Sequence, residues 1–390
     1  MVEPRRHAAG WGVLGVALGG LLAAIGASLY ITGRIARTVV TPPRSHNYDI
    51  KVLGRDEPKG TITLSITGDT TLPGRYGLFF EQDRGYLRVG DVVRTGDTSV
   101  TRAVESVAFA DSRVSARARW SGAYYLAPEE LGFAVQSVQV PGTLGAAPAW
   151  LFPAEAQKPA PWVIVVHGRG ASRQEGLRAV PVFRANGYAS LLISYRNDGD
   201  APDSPDARYG LGGTEWRDVE AAIEFALHHE ARSIVLMGFS MGGAIVLQTV
   251  TRSVHRSIIR AVVLDSPVID WVNTLEFQAE LLHVPPVMAE GAMRILGSSW
   301  GNALTGQSEA IDLASMDFVN RAADLSLPIL IMHSDDDGYV PSTGSRELAV
   351  ERPDIVTLVS FTHARHTRLW NYDPERWNGA ITDWLGELPA

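Results

Sequence analysis

The chain has 390 residues, 45% of them hydrophobic and 20% charged, with 35 basic against 43 acidic side chains and a net charge of −8. This composition excludes intrinsic disorder over most of the length and gives no bulk attraction to nucleic acid or anionic lipid. Without a cysteine there is no disulfide framework, zinc-thiolate site, iron–sulfur cluster or thiol nucleophile, and at ~150 residues per domain the length predicts two or three units.

From Ala8 to Gly33 run 26 residues without a charge, bounded by Arg5 and Arg6 before and by Arg34 and Arg37 after. At about 1.5 Å per residue a helix of that length spans ~30 Å of hydrocarbon. Seven glycines and no polar face fit a buried core helix badly. The stretch reads as a single transmembrane helix over 8–33. A cleavable signal peptide is the alternative, with Ala24-Ile25-Gly26 as a feeble cleavage site. Gly15 and Gly19, with Ala23 one step on, form a GxxxG seat for a weak homodimer. The flanking Arg counts do not settle orientation, but a short basic region before an apolar run favours an extracytoplasmic catalytic domain.

Residues 38–131 are rich in Val, Thr, Tyr and Gly, with short alternating runs such as Thr61 to Ile66 and Gly85 to Val89 between closely spaced turn signals. They predict a small β-rich module without a constellation of chemical groups. Its role is a spacer or shoulder, or else recognition of a substrate or partner.

Residues 132–390 change pattern. Apolar runs at Val163–Val166, Ser190–Tyr195, Ser233–Met237, Ala261–Leu264, Ile329–Met332 and Ile355–Val359 are continuous rather than alternating, as in strands buried on both faces of a parallel sheet. Between them, Thr214–His229 carries Trp216, Val219, Ile223, Ala226 and Leu227 on one stripe, which predicts an amphipathic helix. The fold class is α/β, a doubly wound, mostly parallel sheet.

Gly238-Phe239-Ser240-Met241-Gly242 matches G-x-S-x-G directly after one of these strands and before a helix-prone segment. A sharp strand-to-helix turn needs small residues beside the serine and lifts its hydroxyl above the sheet edge. A serine hydroxyl needs a base, itself oriented by a carboxylate. The candidates follow later strands: Asp335, Asp336 and Asp337 in one loop, and His363 and His366 in another, with Asp265 a further possible acid.

With these residues in place the chain resembles the α/β-hydrolase-fold serine hydrolases from about residue 133 to the end. His333, Asp337, Val340 and Pro341 match the family's His-Gly-x-x-Asp-x-x-Val-Pro loop, with Ser334 departing from the glycine, so the resemblance makes Asp337 the triad acid and leaves Asp335 and Asp336 as rivals. His366, with Trp370 four residues on, resembles the family's base and is preferred to His363. His167-Gly168-Arg169-Gly170 resembles the family's His-Gly-x-Gly, which makes the Arg169 and Met241 amides the oxyanion hole. The Arg169 side chain itself is expected to be solvated.

The resemblance also implies that residues 268–318 form a helical cap over the site, some of whose apolar side chains line a substrate pocket. The activity implied is hydrolysis of a carboxylic ester or related acyl bond in a small-molecule substrate, without metal or organic cofactor. A serine peptidase, an acyltransferase and a membrane-tethered scaffold with a dead hydrolase fold are the alternatives. Since every candidate site residue follows residue 160, removal of residues 1–37 is expected to leave an active domain.

Overall fold

The computed structural model describes residues 26, 28–43, 45–108, 115–155 and 159–388. Most of the apolar stretch 8–33, with the Gly15 and Gly19 pair, lies outside them. Among the described residues no helix is long and apolar enough to cross a membrane, so the expected transmembrane helix finds no support here.

The described part begins with helix α1 (residues 28–40). It is no loose tail. Ala36 and Val40 are fully buried in the main core, Gly33 abuts Leu304 and Gly291 abuts Thr32. Deleting residues 1–37 would remove most of a helix that the domain packs against, which corrects the expectation that this segment is dispensable.

Six strands follow: β1 (Ile50–Asp56), β2 (Thr61–Ser65), β3 (Tyr76–Phe80), β4 (Gly85–Thr95), β5 (Ser99–Ala108) and β6 (Arg117–Ser121). They close into a barrel in the order β1-β2-β5-β4-β3-β6. In β2 and β6 alternate residues point inward, bringing Ile62, Leu64, Ala118 and Trp120 into the barrel core. Register shifts between β4 and β5 mark bulges, which bend a long hairpin enough to help close a small barrel. The interior also holds Arg102, fully buried, whose guanidinium donates to the carbonyls of Thr70, Leu72, Gly74 and Gly90 and lies 5.4 Å from the Tyr76 ring and 5.2 Å from that of Trp120.

The second sheet has eight strands: β7 (Gln136–Gly142), β8 (Gly145–Phe152), β9 (Pro161–Val166), β10 (Ala189–Ile193), β11 (Ser233–Phe239), β12 (Ile259–Asp265), β13 (Ile329–Ser334) and β14 (Val356–Phe361). Their order is β14-β13-β12-β11-β9-β10-β8-β7. β7 and β8 form an antiparallel hairpin, β8 is antiparallel to β10, and every other pairing is parallel. The helices are α2 (Val180–Ala185), α3 (Trp216–His228), α4 (Met241–Arg252), α5 (Trp271–Leu281), α6 (Pro286–Leu296), α7 (Asn302–Thr305), α8 (Thr343–Glu351), α9 (Leu369–Tyr372) and α10 (Pro374–Glu387).

Strand side chains alternate between two cores. Ile164, Val166, Ile234 and Leu236 pack with α3 and α4 on one face, while Val163, Val165, Val235 and Met237 pack with α2, α9 and α10 on the other. Both faces are covered, which is why the sequence shows unbroken apolar runs. The helical insertion α5 to α7 sits between β12 and β13.

Candidate active site

Ser240 stands between the last residue of β11 and the first of α4, with φ 51° and ψ −118°, a left-handed conformation that a side chain rarely adopts. Neighbours hold it there: its N–H donates to Asp265 O at 3.0 Å and its carbonyl accepts from Gly243 and Val268 at 2.9 and 3.1 Å. A Cβ on Gly242 would stand 2.3 Å from Val166 O, so only glycine allows the elbow to pack so closely on β9.

The serine Oγ lies 2.8 Å from His366 Nε2, and His366 Nδ1 lies 2.8 Å from Asp337 Oδ2. A carboxylate only accepts, so Nδ1 carries the proton and Nε2 is free to accept from the hydroxyl. The other oxygen of Asp337 accepts from the N–H groups of Tyr339 and Val340 at 2.8 and 2.9 Å. Burial by itself raises the Asp337 pKa, but the charges and hydrogen bonds of His366 and His333 outweigh it and hold the carboxyl well below the usual carboxylate range. The Asp337 carboxyl is therefore ionised beside the imidazole it meets.

The rival residues point elsewhere. Asp335 pairs with Arg346 and Asp336 with Arg365, and His363 is exposed. Asp265 is fully buried, where it accepts from Ser266 Oγ at 3.0 Å and Trp377 Nε1 at 2.9 Å. Burial pushes its carboxyl up. Ser266 Oγ in turn accepts from Thr367 N at 3.1 Å, so the Asp265 carboxyl supports the backbone next to His366 and does not bond to the imidazole.

The loop after β9 lies against the serine: a Cβ on Gly168 would stand 3.2 Å from that of Ser240. Gly168 is anchored at both ends, its N–H donating to Glu175 Oε2 at 2.8 Å and its carbonyl accepting from Tyr195 Oη at 2.9 Å. His167 stacks on Tyr195 at 4.2 Å and reaches Asp198 at 3.1 Å. Met241 is the first residue of α4, so its N–H has no preceding turn to bond and is open to an acceptor near Ser240. The Arg169 side chain is half-buried rather than free in solvent, and it donates to the carbonyls of Thr38, Val39 and Thr41. Glu175, Tyr195 and Asp198 carry no motif of their own, and their roles appear only in the folded chain.

A cavity of about 840 Å³ opens beside His366. One wall, from the sheet domain, includes Gly170, Tyr339 and Arg365, and the opposite wall is the barrel, through Phe79, Arg119 and Trp120, with Tyr124 just after its last strand. No residue of 268–318 lines it, which corrects the expectation that the helical insertion supplies the pocket. The barrel is strapped to the histidine loop: Asp69 meets Arg368 at 2.7 Å and Arg365 at 3.5 Å.

Residues 163–380, more than half of the chain, match the alpha/beta hydrolase family. The chain belongs to the alpha/beta hydrolase family. Residues 51–121, the barrel, match a domain of unknown function, DUF8805. The quorum-quenching protein AidA of Acinetobacter baumannii is 31% identical over 105 residues, 26% of this chain and only 34% of that protein. Among solved structures, an esterase from Pyrococcus furiosus is similar with a TM-score of 0.53 and 18% identity, covering 68% of this chain and 95% of that one. An acylaminoacyl peptidase from Pyrococcus horikoshii has a TM-score of 0.53 and 15% identity, covering 86% of this chain and 55% of that one. At such identities these structures share the fold.

Among the described residues Glu220, Glu224 and His255 bring one potential metal-ligand atom each within 4.8 Å of one another, on α3 and after α4, apart from the residues around Ser240.

Proposed function

We propose that this protein is a serine hydrolase that cleaves a carboxylic ester. The observation that carries the reading is the unbroken chain from Ser240 Oγ through His366 to Asp337, both links at 2.8 Å, built on a serine held at positive φ. His366 Nε2 takes the hydroxyl proton as Oγ bonds to the acyl carbon, and the oxygen that becomes negative is met by the Arg169 and Met241 amides. The tetrahedral species collapses, the ester C–O bond breaks, and the imidazolium returns its proton to the departing alcohol. Water then gives a proton to His366 and attacks the acyl-enzyme, releasing the acid and restoring Ser240.

The cavity favours a polar substrate, since Arg119, Arg365 and Arg368 share its walls with Tyr124 and Tyr125. A peptidase is the second reading, supported by the placement of a β module across the mouth of the site. A fluorophosphonate probe that labels the wild type and not Ser240→Ala supports a serine hydrolase, and no labelling favours an inactive scaffold. Comparing p-nitrophenyl esters with aminoacyl and peptidyl anilides separates esterase from peptidase.

We also propose that the uncharged stretch 8–33 tethers the enzyme to a membrane, with the catalytic domain on the extracytoplasmic side. Leu29, Tyr30 and Ile31 at the start of α1 are all exposed, which supports an apolar neighbour there. Retention in the membrane fraction through alkaline carbonate washing tests the tether, and protease accessibility in intact cells tests the orientation.

A further inference from the structure

Arg169 lies between two glycines, and its own N–H is one of the donors assigned above to the oxyanion. Gly170, on its far side, has φ 68°. The Gly168 carbonyl of the same peptide is held by Tyr195 Oη at 2.9 Å, and with glycine on both sides it falls to the Arg169 side chain to hold the residue from its other side. The Arg169 side chain turns away from the serine toward the end of α1. There Nε donates to Val39 O at 3.1 Å, and Nη2 donates to Thr38 O at 2.7 Å and Thr41 O at 2.8 Å.

These are the final carbonyls of a helix and its exit, acceptors without partners in a following turn, at the end where the helix dipole is negative. A guanidinium matches that site in geometry and charge. The same junction is clamped twice more. Tyr209 N donates to Val40 O at 2.8 Å, and Pro43 packs on Gly170 so closely that a Cβ there would stand 2.5 Å from its Cγ. Because Ala36 and Val40 are fully buried, the helix end is a fixed point.

We infer that the Arg169 side chain is a positioning group: by bonding to the C-terminal end of α1 it holds its own backbone N–H on the developing oxyanion. The inference rests on the acyl-transfer reading above. It makes residues 28–43, which precede both family-matched regions, part of the catalytic apparatus.

The test uses the full chain. R169A and R169K are compared with wild type for p-nitrophenyl ester kinetics, for inhibition by a trifluoromethyl ketone, whose adduct places an oxyanion in the hole, and for melting temperature. P43G loosens the same junction without touching Arg169. For R169A, kcat is expected to fall on the order of 10-fold or more with KM changed less than about threefold, because only transition-state charge is affected. Inhibitor affinity should weaken in step, R169K should recover part of the loss, and P43G should show a smaller change of the same kind.

The inference is overturned if R169A keeps kcat and inhibitor affinity within about twofold of wild type, or if its activity loss is matched by a loss of folded, titratable sites. A wild type that no fluorophosphonate labels would instead bring down the hydrolase reading, and this inference with it. A labelled wild type with an equally reactive R169A sinks the inference alone.

Discussion

Nε2 of His333 lies 3.3 Å from Oδ2 of Asp337, the same carboxylate oxygen that meets His366. His333 is held in turn by Ser345 Oγ at 2.8 Å and Val340 O at 3.1 Å. Since Val340 O only accepts, Nε2 must donate, and the same N–H faces the carboxylate. The His333, Asp337 and Val340 spacing noted in the sequence thus has a physical basis: the histidine ties the start and end of the acid loop together and fixes the aim of its aspartate.

Ser240→Ala, Asp337→Asn and His366→Ala are each expected to lower kcat/KM by ~10³-fold or more. Asp335→Asn, Asp336→Asn and His363→Ala should stay within about tenfold of wild type, because those side chains do not reach the serine–histidine pair. Steady-state hydrolysis of a p-nitrophenyl ester checks the set, and a crippled His363→Ala would show that the assigned base is wrong.

Asp337 and Asp265 should bend the stability–pH curve in opposite directions. The folded state holds Asp337 below its unfolded pKa, so its stabilising effect is complete above pH ~4 and is lost as pH falls toward the folded value. Burial raises the Asp265 carboxyl against the opposing influence of Arg178, Trp377 and Ser266, so its contribution is present at acid pH and is lost as pH rises through the folded value. Relative to wild type, Asp265→Asn should therefore gain stability between pH 4 and 7 while Asp337→Asn loses it. Urea unfolding at the two pH values measures both differences, and parallel curves would refute the assignment.

Arg102→Met should destabilise the barrel by ~3 kcal/mol or more, since the carbonyls of Thr70, Leu72, Gly74 and Gly90 lose buried donors that water cannot replace. Because the same loop carries Asp69, which meets Arg365 and Arg368 beside His366, KM should rise as well. Chemical denaturation and ester kinetics report the two effects, and a variant as stable as wild type would show that the carbonyls find other donors.

Asn371→Ala should loosen the seam between barrel and sheet. Its Nδ2 donates to Arg75 O at 2.8 Å and Gly122 O at 3.0 Å, its backbone carbonyl accepts from Arg75 N at 2.9 Å, and the residue is fully buried. A loss of ~2 kcal/mol in urea unfolding is expected from the two unpaired carbonyls. KM should rise more than kcat falls, because the barrel forms the far wall of the cavity.

Local patterns were legible in the sequence where local physics decides. The apolar runs that became β9 to β13 could be read because a strand buried on both faces needs apolar residues at every position. The elbow at Ser240 could be read because close packing there admits only small neighbours. The hairpin of β7 and β8 went unread, since its short mixed segments gain their strand character from pairing with each other and with β10.

The loop motif singled out Asp337, but only the tertiary structure shows that it meets His366 while Asp335 and Asp336 pair with arginines, because neighbours in a loop differ in aim and not in type. It also placed the barrel rather than the helical insertion across the cavity. The bond from Arg169 to Thr38 O joins positions 131 apart in the chain. A contact at that separation leaves no periodicity or motif in either segment, since it depends on where the whole sheet carries its loops.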